Sequence, residues 1–535
     1  MPNQSAQEVI DAELVDSEAR CLLLQKHIQE LKTRRNTYAP ISKLPDEVLL
    51  EIFAFAQKLY PQDRWYREVT HVCRRWRYTA IDAPTLWTNP PLSHHRFAML
   101  MLERSKSADL TAFIGTTTTI ATIEHVIDCI GRIKDLRITL DIEVLDSLLS
   151  LLEKGDQKAS HLRRFGLECW SDEPWDAQPM FGLSATVFCK FQLLRELQIY
   201  NIIFDWNVLP LPNLVDLRLV KTTFPTRISI QQLLDTLRQM PHLEHLTIPL
   251  SQSLLLPPST TEMRSVAQVT LSRLGWLMMG DSHMYTDYIG WFLSKMTLPR
   301  LRYLLMDGEP PLSGITPTNY HSVSPQTIQG IASSVMGGDF GTFSSLEFSR
   351  ENLYLETRHT ERSNDTPPYV DFNIQAQEPP DHDAARLFMQ ISVDILLLCR
   401  ASLSHVVKLV LQEGVLLTVD ELFHLSTVLP SVREIEILNS STTDFISVLA
   451  SLPSHPPSDT DTFTPFPRLN SVHFSSVDFA SNPSLLEALC NSLMLRSEYD
   501  VAIPKLDLYN CQISSGQLAL LEEIVVDVKS RKPTR

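Results

Sequence analysis

The chain has 535 residues, 44% of them hydrophobic and 21% charged, which is too long for one compact domain and apolar enough to exclude wholesale disorder. Its 47 Lys and Arg face 63 Asp and Glu, a formal net charge of −16. An acidic surface of that size suits phosphate backbones poorly, so nucleic acid is not the expected partner. Glycine is scarce, at 16 residues, which argues against folds that cradle nucleotides on glycine-rich turns. The cysteines are scattered singly, without the CxxC spacing of zinc or redox sites, and fit a reducing compartment. The N-terminus has neither a basic region nor an apolar one of the kind a secretory signal needs. No apolar run reaches the roughly 20 residues of a membrane span. A cytoplasmic or nuclear location with no membrane contact is expected.

Residues 8–35 read as one polar helix with a seam. Ile10, Leu14, Ser17, Cys21, Leu24, Ile28 and Leu31 alternate steps of four and three, the coiled-coil spacing. Two readings stand side by side: a homodimer through 8–35, or a helix packed against its own chain. Tyr38-Ala39-Pro40 ends it.

Between 44 and 87 the sequence is most informative. Leu44-Pro45-Asp46-Glu47 is a helix start, with proline in the first turn and acids at the positive end of the dipole. Val48, Leu49, Ile52, Phe53 and Ala56 follow at helical spacing. A second helix carries Val69, Val72, Cys73, Trp76 and Ala80 on one stripe, flanked by Arg74, Arg75 and Arg77, which read as a solvated face. Pro84 stops it before Leu86-Trp87. About 45 residues cannot bury so many large apolar side chains, and such an excess calls for a partner. Cys73, inside the stripe, is expected to be buried and inert.

LPDEVLLEIF, then VCRRWR, then APTLW, resembles the F-box in motif order and residue type. The resemblance implies docking on the Skp1 adaptor of a cullin–RING ubiquitin ligase. By position, Leu44, Pro45, Val48, Ile52, Phe53, Val72, Cys73, Trp76, Leu86 and Trp87 match the pattern and would form its core and its Skp1-facing side. The segment between Phe53 and Val72 is longer than in the commonest F-boxes and carries Trp65-Tyr66. In this, and in its preceding helix, the chain is similar to the expanded fungal F-box families.

From about residue 130 an L-x-x-L-x-L pattern recurs. Its first positions are Ile133, Leu162, Leu194, Leu214, Leu243, Leu274, Leu301, Phe343, Val406, Val432, Leu469 and Ile503. Helical stretches lie between, such as 141–152 and 230–240. One strand and one helix per repeat make an α/β leucine-rich-repeat solenoid. The expected organisation is an N-terminal helix over 1–38, a small all-α F-box over 39–92, a connecting helical segment over 93–130 and an irregular solenoid over 131–535. Polar insertions are expected near 308–342, 356–385 and 454–467, at least partly mobile.

Residues flanking the inner leucines of each strand point outward along the sheet. Tyr200, Arg218, His245, Trp276, Tyr303 and Tyr509 are the candidates for gripping a protein substrate, the aromatic ones foremost. Trp276 and Tyr303 share a register in successive repeats and are expected to be near neighbours.

No G-x-S-x-G, G-x-G-x-x-G or P-loop motif occurs. His242 and His245 are three apart with no third ligand near them, so neither metal, cofactor nor catalytic residue is expected. The leading reading is a substrate receptor of an SCF-type ubiquitin ligase that does no covalent chemistry itself. A Skp1-bound scaffold without a ligase role is the alternative, and an enzyme hidden in the C-terminal region a third.

Overall fold

The computed structural model describes residues 2–59, 65–154, 158–170, 182, 185–250, 254–255, 266–282, 287–308, 325–350, 352–357, 368–374, 382–438, 442–451 and 463–532. Contacts divide the chain into two units, Met1–Asp172 with Cys189–Leu193, and Glu173–Phe188 with Leu194–Arg535.

The first unit opens with α1 (Pro2–Thr37), a helix with exposed side chains along its described length. The seam residues Ile10, Leu14, Leu24, Ile28 and Leu31 all face solvent, and Gln29 near the end of the helix accepts a hydrogen bond from Arg74. A 3-10 turn, Pro40–Lys43, leads into α2 (Asp46–Leu59), whose first turn carries Asp46 and Glu47 at the positive dipole end. The single second helix expected from the sequence is two, α3 (Trp65–Thr70) and α4 (Arg74–Ile81). Cys73 caps α4 in extended conformation, with φ −156°. That kink turns Val72 out to solvent and leaves Cys73 half-buried rather than buried. Neither Gly nor Pro at 70–73 announces the break.

The segment expected as helical connection is helix, strand and helix: α5 (His95–Arg104), β1 (Leu110–Ile114) and α6 (Ile120–Asp128). Then come β2 (Ile133–Asp141), α7 (Ile142–Lys154) and β3 (Arg164–Trp170). Strands β1, β2 and β3 are parallel neighbours, so repeat architecture begins near residue 110, some twenty residues before the sequence pattern announces it.

The second unit continues the strand-and-helix alternation with α8 (Ala185–Phe188), β4 (Glu196–Tyr200), β5 (Asp216–Val220), α9 (Ile230–Arg238) and β6 (His245–Pro249). Next are β7 (Val269–Thr270), β8 (Trp276–Ser282), α10 (Asp287–Ser294), β9 (Met296–Thr297), β10 (Tyr303–Gly308) and α11 (Pro325–Gly337). A hairpin follows: β11 (Phe343–Phe348), β12 (Asn352–Thr357) and β13 (Tyr369–Ile374). The remainder is α12 (His382–Leu398), α13 (Arg400–Leu403), β14 (Lys408–Leu411), α14 (Val419–Val428), β15 (Glu434–Leu438), α15 (Thr442–Ala450), β16 (Ser471–Ser475), α16 (Pro483–Glu498), β17 (Lys505–Tyr509), α17 (Ser515–Ile524) and β18 (Asp527–Arg531).

All first positions of the L-x-x-L-x-L series are buried, and each series member supplies one strand. Helix starts are written into the sequence as well. Ser229 with Gln232, Thr418 with Glu421 and Ser514 with Gln517 each form a reciprocal capping box, closing two backbone donors apiece. Asn201, Lys221, Ser476 and Asn510 adopt positive φ directly after a strand. The chain turns off the sheet there, and asparagine tolerates that conformation best among non-glycine residues.

In the second unit the sheet runs β4-β5-β6-β8-β10-β13-β12-β11-β14-β15-β16-β17-β18. Only β12 is antiparallel to its neighbours. Two of the polar insertions, expected to be at least partly mobile, hold regular structure in their described parts. Residues 325–337 are helical, and Tyr369–Ile374 is a central strand whose Val370 and Phe372 are buried. Most of the insertion at 454–467 lies outside the described residues, but Phe466 is in the core. The fold is thus an N-terminal helix and a small helical domain, followed by an irregular leucine-rich-repeat-like array.

Candidate protein-docking site

The helices of residues 44–101 share one small core. Leu49, Phe53, Val69, Ala80, Ala83, Leu86, Trp87 and Met101 are buried together, with Leu44, Leu50, Trp76 and Phe97 partly buried against them. The Phe53 and Trp76 rings lie 5.1 Å apart. The Trp87 indole donates to the Ala80 carbonyl at 2.7 Å, and the Arg104 guanidinium sits over its ring. The candidate docking residues are accordingly of two kinds. Phe53, Leu86 and Trp87 are enclosed by their own chain, so they shape the surface from beneath. Leu44, Cys73 and Trp76 are half-buried, while Pro45, Val48, Ile52 and Val72 are exposed.

The exposed members form part of a continuous stripe. Val48, Ile52, Phe55 and Leu59 follow at i, i+4, i+7 and i+11 along α2 and are 38%, 40%, 62% and 59% exposed. Leu49 and Phe53 take the neighbouring face inward. A 14-residue helix thus carries two apolar faces, and only one is satisfied within the unit. Phe55 and Leu59 are absent from the sequence-derived docking set, although each lies seven residues, two helical turns, beyond Val48 and Ile52 respectively, which is a legible signal. The three arginines of α4 are structural ties rather than a loose solvated face. Arg74 donates to the Gln29 side chain at 2.7 Å, Arg75 to Asp46 and two carbonyls, and Arg77 to the Thr70 carbonyl at 2.9 Å.

The outward residues of the second unit also fall into place on the sheet. His245, Trp276 and Tyr303 are paired in register across β6, β8 and β10. The Trp276 and Tyr303 rings are 5.0 Å apart. Arg218 is engaged by Asp216 through two hydrogen bonds of 2.8 and 2.9 Å, and Tyr200 lies one strand further along. Tyr509, on β17, is separated from them by the hairpin and the C-terminal strands. Tyr354 and Tyr369 join Trp276 and Tyr303 on the same face and escaped the sequence reading, because they sit in a polar segment outside the repeat pattern. Among the described residues no group of three His, Cys, Asp or Glu side chains is arranged to hold a metal ion. No described helix is long and apolar enough to cross a membrane.

Residues 41–92 match the F-box-like family model, and the helical unit that they build is an F-box-like domain. No curated protein matches the sequence. Among solved structures, the chain is similar to a crystal structure of a TLR13–ssRNA13 complex, with 11% identity and a TM-score of 0.25 over 70% of this chain. The chain spans 50% of that protein's length.

Proposed function

We propose that this protein is the substrate-receptor subunit of an SCF-type ubiquitin ligase. The observation that carries the reading is the unsatisfied stripe Val48–Ile52–Phe55–Leu59 on the first long helix of an F-box-like domain. A Skp1-type adaptor laid on that stripe, with Pro45 and Val72 at its margin, would bury apolar area that the unit leaves in water. The leucine-rich-repeat-like array is then free to hold a protein substrate near the ubiquitin-charged enzyme. Its contribution to rate is proximity, through a raised local concentration of substrate lysines, and the chain itself needs no catalytic group. A Skp1-bound scaffold shares the first contact but recruits no cullin.

Pull-down of Skp1 by Ile52→Asp/Phe55→Asp tests the contact. Losing two buried anchors of 2 kcal/mol or so each abolishes capture, while the melting temperature stays close to that of the parent because both side chains already face solvent. Undiminished capture would remove the adaptor from the reading. Cullin recovered together with Skp1 supports the ligase over the scaffold. The α1 seam is proposed to pair with a second copy, and oxidative cross-linking of exposed Cys21, which lies at its centre, reads that out.

A further inference from the structure

Trp276, Tyr303, Tyr369 and Tyr354 form one uninterrupted aromatic row across four adjacent strands. Successive ring centroids are 5.0, 5.4 and 5.6 Å apart, and Trp276 also meets Tyr369 edge-on at 6.2 Å. The pairing that makes the row is non-local. Tyr303 stands opposite both Trp276 and Tyr369, and the reversed strand β12 brings Tyr354 alongside. All four aromatic residues are half-buried. The alternate residues Leu353, Leu355, Val370 and Phe372 fill the core beneath, so the row is not itself part of the hydrophobic interior.

Carboxylates flank the row on β11, β12 and β13. Glu356 stands opposite Tyr369, Asp371 opposite Tyr354, and Glu347 is directly across from Tyr354 on β11. Burial, followed by Glu356, Tyr369, Asp371 and Glu347, pushes the Tyr354 phenol up to about 12, which places those carboxylates within electrostatic reach of the ring. Lys408, on β14, pairs with Glu436 at 2.9 Å and with Glu434 at 3.9 Å. Glu347 accepts from the Gln412 side chain at 2.8 Å and lies within electrostatic reach of Lys408, while among the described residues no ion pair engages Glu356. Half-exposed aromatic rings flanked by carboxylates attract a cation twice, through the ring quadrupoles and through the neighbouring negative charge.

We propose that this row is a binding site for an extended, arginine- or lysine-bearing protein segment, with basic side chains laid over the rings and their heads among Glu347, Glu356 and Asp371. The inference rests on reading the array as the substrate-holding part of the molecule, and it supplies the chemistry of what is held. Its source is a polypeptide rather than a small amine, because the row extends across four strands and offers several stacking positions in line.

Fluorescence anisotropy of a labelled (Gly-Arg)5 peptide on the purified full chain tests it, with (Gly-Gln)5 and (Gly-Glu)5 peptides alongside. Binding of (Gly-Arg)5 alone is expected, weakened about tenfold by Trp276→Ala/Tyr369→Ala. The near-isosteric Glu347→Gln/Glu356→Gln, which leaves every ring in place, is expected to weaken it comparably. Equal binding of (Gly-Gln)5 would overturn the proposal. So would undiminished (Gly-Arg)5 binding by both variants, which would assign the affinity to the diffuse net charge of −16. Skp1 is absent from this assay, so its outcome and that of the adaptor pull-down are read independently.

Discussion

Arg75 clamps the start of α2 to α4 through Asp46. Its guanidinium reaches the Asp46 carboxylate at 2.7 and 3.0 Å, and also donates to the carbonyls of Ser42 and Leu44. Planar, forked donor geometry is what allows one side chain to serve three acceptors. Arg75→Ala is therefore expected to destabilise the F-box-like domain by about 1–2 kcal/mol, and Arg75→Lys to recover only part of that. Urea denaturation of both variants measures it; equal stability of the Ala variant and the parent would show that the clamp is incidental.

Two neighbouring residues of α2 should behave in opposite ways. Phe53 is fully buried against Trp76, whereas Ile52 lies on the exposed stripe. Phe53→Ala is expected to cost about 3–5 kcal/mol through the cavity it leaves. Ile52→Ala should fall within roughly 1 kcal/mol of the parent while weakening adaptor capture. Thermal melts with matched Skp1 pull-downs separate the two effects, and a destabilised Ile52→Ala would contradict the placement of that face.

Helices α10 and α11 cross where two glycines meet. A methyl group on Gly330 would drive into the backbone of Gly290, so the approach depends on Gly330 carrying no side chain. Gly330→Ala, which usually favours a helix, is expected here to lower the melting temperature by several degrees. A rise in melting temperature would mean that the helices are further apart than described.

Burial pushes the Cys399 thiol up to about 12, and its sulfur faces the Ala332 carbonyl. The sign follows from linkage. Below the ordinary thiol range, folded and unfolded chains both hold the proton, and the contribution is complete. Between about 9 and 12 only the unfolded chain releases it, so stability falls as pH rises, by at most about 1.4 kcal/mol per pH unit from this group. Denaturant titrations of parent and Cys399→Ala at pH 8 and 10 should differ in slope accordingly. At pH 8, iodoacetamide should label exposed Cys21 and Cys189 well before Cys399; simultaneous labelling would refute the burial.

Much of this fold is legible in the sequence because burial in a repeat is periodic. Every leucine-led triplet from Ile133 to Ile503 marks a strand, since its inner positions must be apolar wherever the strand lies in the array. What stays hidden is set by contacts between distant residues. Leu110–Ile114 carries its leading apolar residue one position too close to the inner pair, with alanine first in that pair, and Tyr369–Ile374 gains its place only because β12 runs backwards. The docking stripe shows the same division. Val48 and Ile52 are readable from motif and period, but which apolar face of α2 remains in water depends on how Trp76 and Trp87 fill the other.

The inserted hairpin also bears on the order in which the sheet can be made. Strand β10 ends at Gly308, yet its partner on the far side is β13, which ends at Ile374, rather than β11, the next strand in the chain. On a ribosome the free edge of β10 must wait for β11, β12 and the whole of β13 to emerge. At about 5–20 residues per second that interval lasts several seconds, during which the open edge offers a place for a chaperone to hold or for a second nascent chain to invade.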